Sequence, residues 1–160
     1  MKDTNDFLNR SIDEDVEESQ KISVAGLIYN QKKQLLLQLR DKKPDVAFPG
    51  YWGLFGGNVE IGEKPFQGLE RELTEELGLL IDKKERYFST IAWKGGDMGK
   101  IIRSRHYFLI EISDDCFAIL SLREGVAMQL VPASKIPNNY LVMPHDLLAI
   151  SMWNNQVYPY

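Results

Sequence analysis

The chain of 160 residues has one cysteine, Cys116, and two histidines, His106 and His145. A lone thiol excludes an internal disulfide framework, and with so few thiols there is no cysteine-based metal site. That usage fits a reducing compartment. No apolar run approaches the ~18 residues of a membrane span, and the first residues lack a signal-peptide core. Cytoplasm is therefore the expected compartment, with no membrane partner. Nor is there an excess of positive charge: 19 Lys and Arg stand against 23 Asp and Glu. A net charge of −4 and a pI near 5.2 argue against a general binder of nucleic acid polymers. Internal repeats, low-complexity tracts and inter-domain linkers are absent.

What remains is an ordinary globular composition, 44% apolar and 26% charged, long enough for one domain with a real core. The charge is uneven. Residues 1–20 carry Lys2 and Arg10 against seven acids, a net of −5 out of −4, which leaves +1 on the other 140 residues. Two parts are expected: an acidic N-terminal segment over 1–20 and a folded domain over 21–160. In the segment, Leu8, Ile12 and Val16 recur every four positions. It is either a short amphipathic helix docking on the body or a partner subunit, or a disordered tail.

Along the body, Ile22 to Tyr29 and Leu35 to Leu39 are apolar runs joined by Asn30, Gln31, Lys32 and Lys33, a hairpin-like pair. A loop with Pro44, Pro49 and Gly50 follows, and its aromatics Phe48, Tyr51 and Trp52 either wall a pocket or cover the sheet. Trp52 to Phe55 reads as a short strand. Arg86 to Trp93, Ile101 to Ile112 and Val126 to Val131 read as further strands, with a turn at Lys94–Gly99 and an irregular region from Asp114. Pro132 to Tyr140 is a loop or short helix, and Asp146 to Asn154 a C-terminal helix. Strands and two helices in this order suggest a mixed β-sheet covered on both faces, an α/β/α sandwich.

The most informative stretch runs from Gly56 to Leu79, GGNVEIGEKPFQGLERELTEELGL. Pro65 suits a first helical turn and Gly78 a stop, so a helix spans about Pro65 to Leu77. It is entered through a loop holding Gly56, Gly57 and Gly62. Phe66, Leu69, Leu73 and Leu77 form one stripe, which must be buried. Glu72, Glu75 and Glu76 share a second stripe, roughly 100° away. Three carboxylates on one stripe repel by up to ~0.5 kcal/mol per pair. A hard divalent cation such as Mg²⁺ relieves that repulsion, and a carbonyl from the Gly56–Gly57 loop could join its shell. The plain alternative is a solvated acidic helix face.

The whole string argues for more. Gly57, Glu63, Arg71, Glu72, Leu73, Glu75, Glu76, Gly78 and Leu79 fill Gly-x5-Glu-x7-Arg-Glu-U-x-Glu-Glu-x-Gly-U, with U aliphatic. This resembles the Nudix box, with no departure at any of nine constrained positions in 23 residues. The resemblance implies an α/β fold of the Nudix type, an α/β/α sandwich with a mixed sheet. It also implies a metal-dependent hydrolase cleaving a nucleoside diphosphate linked to another group X. Mg²⁺ is the expected cofactor, with Mn²⁺ as an alternative. By that resemblance Glu75 and Glu76 would be metal ligands together with the Gly56 carbonyl. Glu72 would bind metal or orient the water, Glu63 would be an outer ligand or support, and Arg71 would tie the carboxylates in place.

Residues beyond the box are read more openly. In many MutT-like Nudix enzymes the base, or a further metal ligand, comes from a loop well after the box, where this chain has Glu124; the plain alternative is a loop carboxylate. Arg40 is placed to meet a phosphate, or is a surface cation. Asp146 is read first as a helix cap. Its alternative, again by resemblance, is a polar side chain that reads the purine edge. His106 is expected to be packed in a strand or at the surface, and Trp93 and Trp153 to be core residues, although either could stack a base.

Motifs of the ADP-ribose, diadenosine-polyphosphate, NADH and coenzyme A branches are missing. The elimination leaves a MutT-like pyrophosphohydrolase acting on nucleoside triphosphates, oxidised ones included, and giving nucleoside monophosphate and pyrophosphate. The alternatives are a nucleotide-sugar or dinucleotide pyrophosphatase, and a nucleotide-binding module without turnover. A small-molecule nucleotide is the expected partner, for a monomer or homodimer.

Overall fold

Alternation along three strands builds two cores. The computed structural model describes residues 20–82, 86–95 and 101–158. Strands β1 (Gln20–Tyr29), β2 (Gln34–Leu39) and β5 (Ile101–Glu111) send successive side chains to opposite faces of one sheet. Ala25, Leu27, Leu35, Leu37, Tyr107 and Leu109 pack on one side with Val142, Ala149, Ile150 and Trp153. Val24, Ile28, Leu36, Phe108 and Ile110 pack on the other with Leu69, Leu73 and Leu77. Helix α1 (Pro65–Leu77) covers one face and helix α4 (Pro144–Asn154) the other. This is the expected sandwich with a mixed sheet.

The sheet also contains β3 (Trp52–Gly53), β4 (Arg86–Gly95) and β6 (Ala127–Pro132). β1 and β5 are parallel, and every other strand pair is antiparallel. The expected hairpin of β1 and β2 closes at Tyr29 and Leu35 and then splays. β2 gives one edge to β3 at Gln38 and Leu39, and the other to β6 along its whole length. The splay leaves a slot beside β1. Residues 55–59 fill it: Gly26 N donates to Phe55 O, Val24 N to Gly57 O, and Val59 N to Ile22 O. The glycine loop is thereby tied to the sheet as a surrogate strand.

Several boundaries differ from the sequence reading. The expected strand Trp52–Phe55 keeps only Trp52 and Gly53, because Leu54 onward turns into the slot. The irregular region from Asp114 contains a short helix α2 (Asp114–Ile119), capped by Ser113 Oγ accepting from Cys116 N at 3.1 Å. Pro132–Tyr140 holds a 3₁₀ turn (Ala133–Lys135) and helix α3 (Ile136–Asn139). The C-terminal helix begins at Pro144, two residues earlier than expected, since proline fits a first turn. Residues 1–19, and most of the turn expected over Lys94–Gly99, lie outside the described residues. No helix among the described residues is long and apolar enough to cross a membrane.

Candidate active site

Gly56 sits at φ +131°, where a Cβ would stand 2.3 Å from Val24 O. Only glycine allows this approach of loop to strand. At the other end of the motif Gly78 takes the left-handed conformation at φ +67°, and its N–H and that of Leu79 close on Thr74 O and Leu73 O. Between these two glycines α1 presents its carboxylates at different depths. The wheel treats Glu72, Glu75 and Glu76 as one stripe; the structure grades them. Glu75 is 62% exposed at its side chain, Glu72 only 16%, and Glu76 as a residue 5%.

Glu76 is the deepest because it shares the buried flank with Leu73 and Leu77 and lies under the glycine loop. Gly56 N donates to its Oε2 at 2.9 Å. Burial pushes its carboxyl up to about 8, with Glu124 and Glu72 acting the same way, against the Gly56 hydrogen bond and Arg105. The Glu72 carboxyl is also raised, by burial first and then by Glu75 and Glu124, with Arg71 opposing. A Cβ on Gly57 would fall 2.4 Å from the Glu72 carboxylate, so that carboxylate rests directly on the loop backbone.

Arg71 organises the outer carboxylates. Its Nε and Nη2 donate to the two oxygens of Glu63 at 2.9 and 3.1 Å. Nη1 donates to Glu72 Oε1 at 2.9 Å and Nη2 to Asn58 O at 2.9 Å. Glu75 is 3.4 Å away. A planar fork suits such bidentate work. The Arg71 hydrogen bonds hold the Glu63 carboxyl below its ordinary value, and the Glu60 N–H adds a further bond to it. With both oxygens engaged, Glu63 has the geometry of a support.

Glu124 reaches the same place by backbone stapling. Ser121 N and Arg123 N donate to Leu77 O and Glu76 O at the end of α1. On its other side Gln38 Nε2 donates to Glu124 O at 2.9 Å and Val126 N to Leu39 O at 2.8 Å. Gly125, at φ +87°, would put a Cβ 2.9 Å from Leu39 O, so this turn too needs glycine. Buried Gln38 and the Arg123 backbone were not singled out from sequence. Only an apolar strand interrupted by one glutamine hinted at the former.

Asp146 overturns both readings made of it. The α4 N-terminus has Met143 as its cap and no side-chain cap bond; Asp146 is in the first turn. It is 0% exposed, and its oxygens are engaged inside the core. Oδ2 accepts from Leu54 N at 2.8 Å, and Oδ1 accepts from Tyr107 Oη at 2.9 Å. Arg105 Nε stands 3.1 Å from Oδ1, an ion-pair contact rather than an aligned hydrogen bond. Arg105 Nη2 donates to Leu54 O at 3.1 Å. Burial works against the Arg105 charge, and Asp146, Tyr107 and Glu76 outweigh it. The pair anchors the chain just before the glycine loop, and no carboxylate is left over to read a base.

One cleft of about 700 Å³ collects these pieces. Gly56, Gly57, Glu72, Glu76 and Glu124 line it, together with Arg40, Arg103 and Arg105 and the aromatics Phe48, Trp93 and His145. Arg40 is steadied by Nε donating to Ala47 O at 2.8 Å. Glu63, Arg71 and Glu75 form the flank rather than the lining. Trp93 stacks on His145 with ring centres 4.5 Å apart and planes 10° apart, so Trp93 belongs to the cleft and not to the core. Trp153 packs in the core beside Tyr29. His106 is buried, bonded to Thr90 Oγ1 through Nδ1 at 2.6 Å, as expected of a packed histidine.

A family model for the NUDIX domain matches residues 19–136. The chain belongs to the Nudix family. Nucleoside triphosphatase NudI of Escherichia coli is 44% identical over 59 residues, which take in 37% of this chain and 40% of NudI. The chain thus matches less than half the length of that relative. Among solved structures, a MutT protein from Methanosarcina mazei superposes with a TM-score of 0.70 at 21% identity, covering 86% of this chain and 95% of that one. The Nudix domain of Shewanella oneidensis NrtR, bound to ADP ribose, gives 0.70 at 15% identity, covering 97% and 99%. These likenesses show the fold.

The Nudix box residues divide by position. The glycine loop, Glu72 and Glu76 face the cleft, while Glu63, Arg71 and Glu75 brace them from outside. Among the described residues no three carboxylate, imidazole or thiol side chains are arranged to hold an ion as they stand. Arg71 and the Gly56 amide occupy oxygens that a cation would take. The donor set nevertheless fits a hard divalent cation: burial and two neighbouring carboxylates hold Glu76 toward its neutral form, and a cation beside it would favour the ionised carboxylate that binds metal.

Proposed function

We propose that this Nudix protein is a metal-dependent pyrophosphohydrolase that converts a nucleoside triphosphate to the monophosphate and pyrophosphate. The observation that carries the reading is the shared cleft. Three carboxylates, Glu72, Glu76 and Glu124, face it together with three arginines, Arg40, Arg103 and Arg105. The acids suit a cation, and Arg40, steadied by the Ala47 carbonyl, suits an anion brought beside it. The matched stretch of NudI and the fold shared with MutT proteins support a triphosphate substrate.

Glu76, Glu72 and the Gly56 carbonyl would hold Mg²⁺ or Mn²⁺, with Glu75 reaching it by a change of rotamer. When bound, such an ion neutralises charge on the phosphate oxygens and acidifies water. The protein's own groups do the rest. Arg40 binds phosphate oxygens. Arg71 keeps Glu72 aimed through its fork with Glu63. Glu124 takes the proton of the attacking water as the phosphorus–oxygen bond forms and the bond to the leaving pyrophosphate breaks. Burial and the Asp146–Arg105 anchor keep the loop from yielding.

A panel of ribo- and deoxynucleoside triphosphates, 8-oxo-dGTP, nucleotide sugars and dinucleotides with Mg²⁺ tests the reading. Monophosphate and pyrophosphate from a triphosphate are expected. Turnover of nucleotide sugars or dinucleotides alone would contradict it. Tight nucleotide binding with Mg²⁺ and no hydrolysis over hours would instead identify a binding module without turnover.

A further inference from the structure

The cleft has two chemically different ends. Its acidic end is Gly56, Glu72, Glu76 and Glu124. The other is built by β4, β5 and the start of α4. Arg103 and Arg105 are two apart on β5, so they share one face of the sheet. Trp93 is the cross-strand partner of Arg103. His145, in the first turn of α4, stacks on Trp93, and Phe48 meets His145 edge-on at 5.6 Å. A flat aromatic wall thus stands beside two guanidinium groups.

The hydrogen-bonding character of this end is one-sided. Arg105 spends Nε and Nη2 on Asp146 and Leu54 O. Arg103 is half-buried, lines the cleft and has no carboxylate partner among the described residues. Asp146 balances Arg105 alone and is sealed in the core by that ion pair and by two donors, Leu54 N and Tyr107 Oη. The remaining carboxylates that line the cleft, Asp45 and Glu60, are exposed at its rim. An arginine offers donors only. A base edge that pairs with Arg103 therefore presents acceptors.

We infer that Arg103 is a specificity-determining residue that reads the nucleobase against the Trp93–His145 wall and selects keto bases, guanine, uracil and thymine, over adenine. A guanidinium pairs in bidentate fashion with the O6 and N7 acceptors of guanine and can meet a pyrimidine carbonyl. The adenine edge offers N7 beside an N6 amino donor, which faces the arginine with like polarity. This inference rests on the reading of the cleft as a nucleotide site.

Its test is kept separate from turnover. Binding of GMP, UMP and AMP without metal is followed by quenching of tryptophan fluorescence, in the full chain and in Arg103→Met, Arg103→Lys and Trp93→Phe. GMP and UMP should bind about 10-fold or more tightly than AMP. Arg103→Met should bring the three together, Arg103→Lys should restore part of the preference, and Trp93→Phe should remove most of the quench. Equal binding of the three by the unaltered protein, or tighter AMP, would overturn the inference. So would an Arg103→Met protein that loses affinity equally for all three, since Arg103 would then be a phosphate contact. If the base preference holds and no triphosphate is hydrolysed, the inference stands and the proposed function fails.

Discussion

The Gly56 amide donates to Glu76 Oε2 at 2.9 Å, joining two ends of the motif that are 20 residues apart. That bond is made possible by a backbone that only glycine adopts at position 56, and it seats a carboxylate where water is largely excluded.

The two loop glycines should fail differently. Gly56→Ala puts a Cβ against the Val24 carbonyl at a positive φ, so both thermal stability and turnover should drop. Gly57→Ala meets first the end of the Glu72 side chain, which can move. Its melting temperature should stay nearly unchanged while kcat falls, on the order of 10-fold or more, because Glu72 is displaced. Thermal melts beside initial rates separate the two.

Arg71→Lys should lower kcat about 10- to 100-fold, the scale on which partners behind a metal site act. A lysine cannot hold Glu63, Glu72 and the Asn58 carbonyl at once. Metal titration of the variant should show a weaker apparent Mg²⁺ affinity with the nucleotide preference kept.

Asp146→Asn should destabilise the fold by about 3–5 kcal/mol in chemical denaturation, because it leaves the Arg105 charge buried without its partner. A loss below ~1 kcal/mol would mean that the pair does not anchor Leu54.

His106 sets an acid limit. Burial lowers its pKa to about 4, so the folded state keeps it neutral, whereas an unfolded histidine takes up a proton near 6.5. The unfolded state then binds more protons between those values. Stability from this group is complete above about pH 6.5 and is lost progressively as pH falls toward 4. Denaturation curves across that range should show the decline, and His106→Gln should flatten it.

Most of the fold was legible from alternation and from the two glycines and one proline that bound α1. Glu72, Glu75 and Glu76 stood out by helical spacing, and Glu63 and Arg71 by resemblance to the Nudix box. Depth did not. A helical wheel places Glu76 with Glu75, and only the loop that fills the splayed slot beside β1 buries one and leaves the other in solvent. Asp146 was misread because a first-turn aspartate has the same sequence signature whether it caps a helix or pairs with a buried arginine 41 positions earlier on another strand. Arg103, Arg105 and His145 were passed over as site residues, and Trp93 was read first as core with base stacking as its alternative, because their proximity is set by β4–β5 pairing and by the docking of α4, which no local pattern records.

The most direct test is pyrophosphate release by Glu76→Gln at saturating nucleoside triphosphate, titrated with Mg²⁺. Glutamine keeps the size and can still accept from the Gly56 amide, but it lacks the charge a hard cation needs. The predicted result is a loss of at least ~10²-fold in kcat with weakened Mg²⁺ dependence. The melting temperature without metal should be equal or higher, since a buried carboxylate has been removed. Near-normal turnover with an unaltered Mg²⁺ titration would contradict the assignment of the buried carboxylate to the metal site.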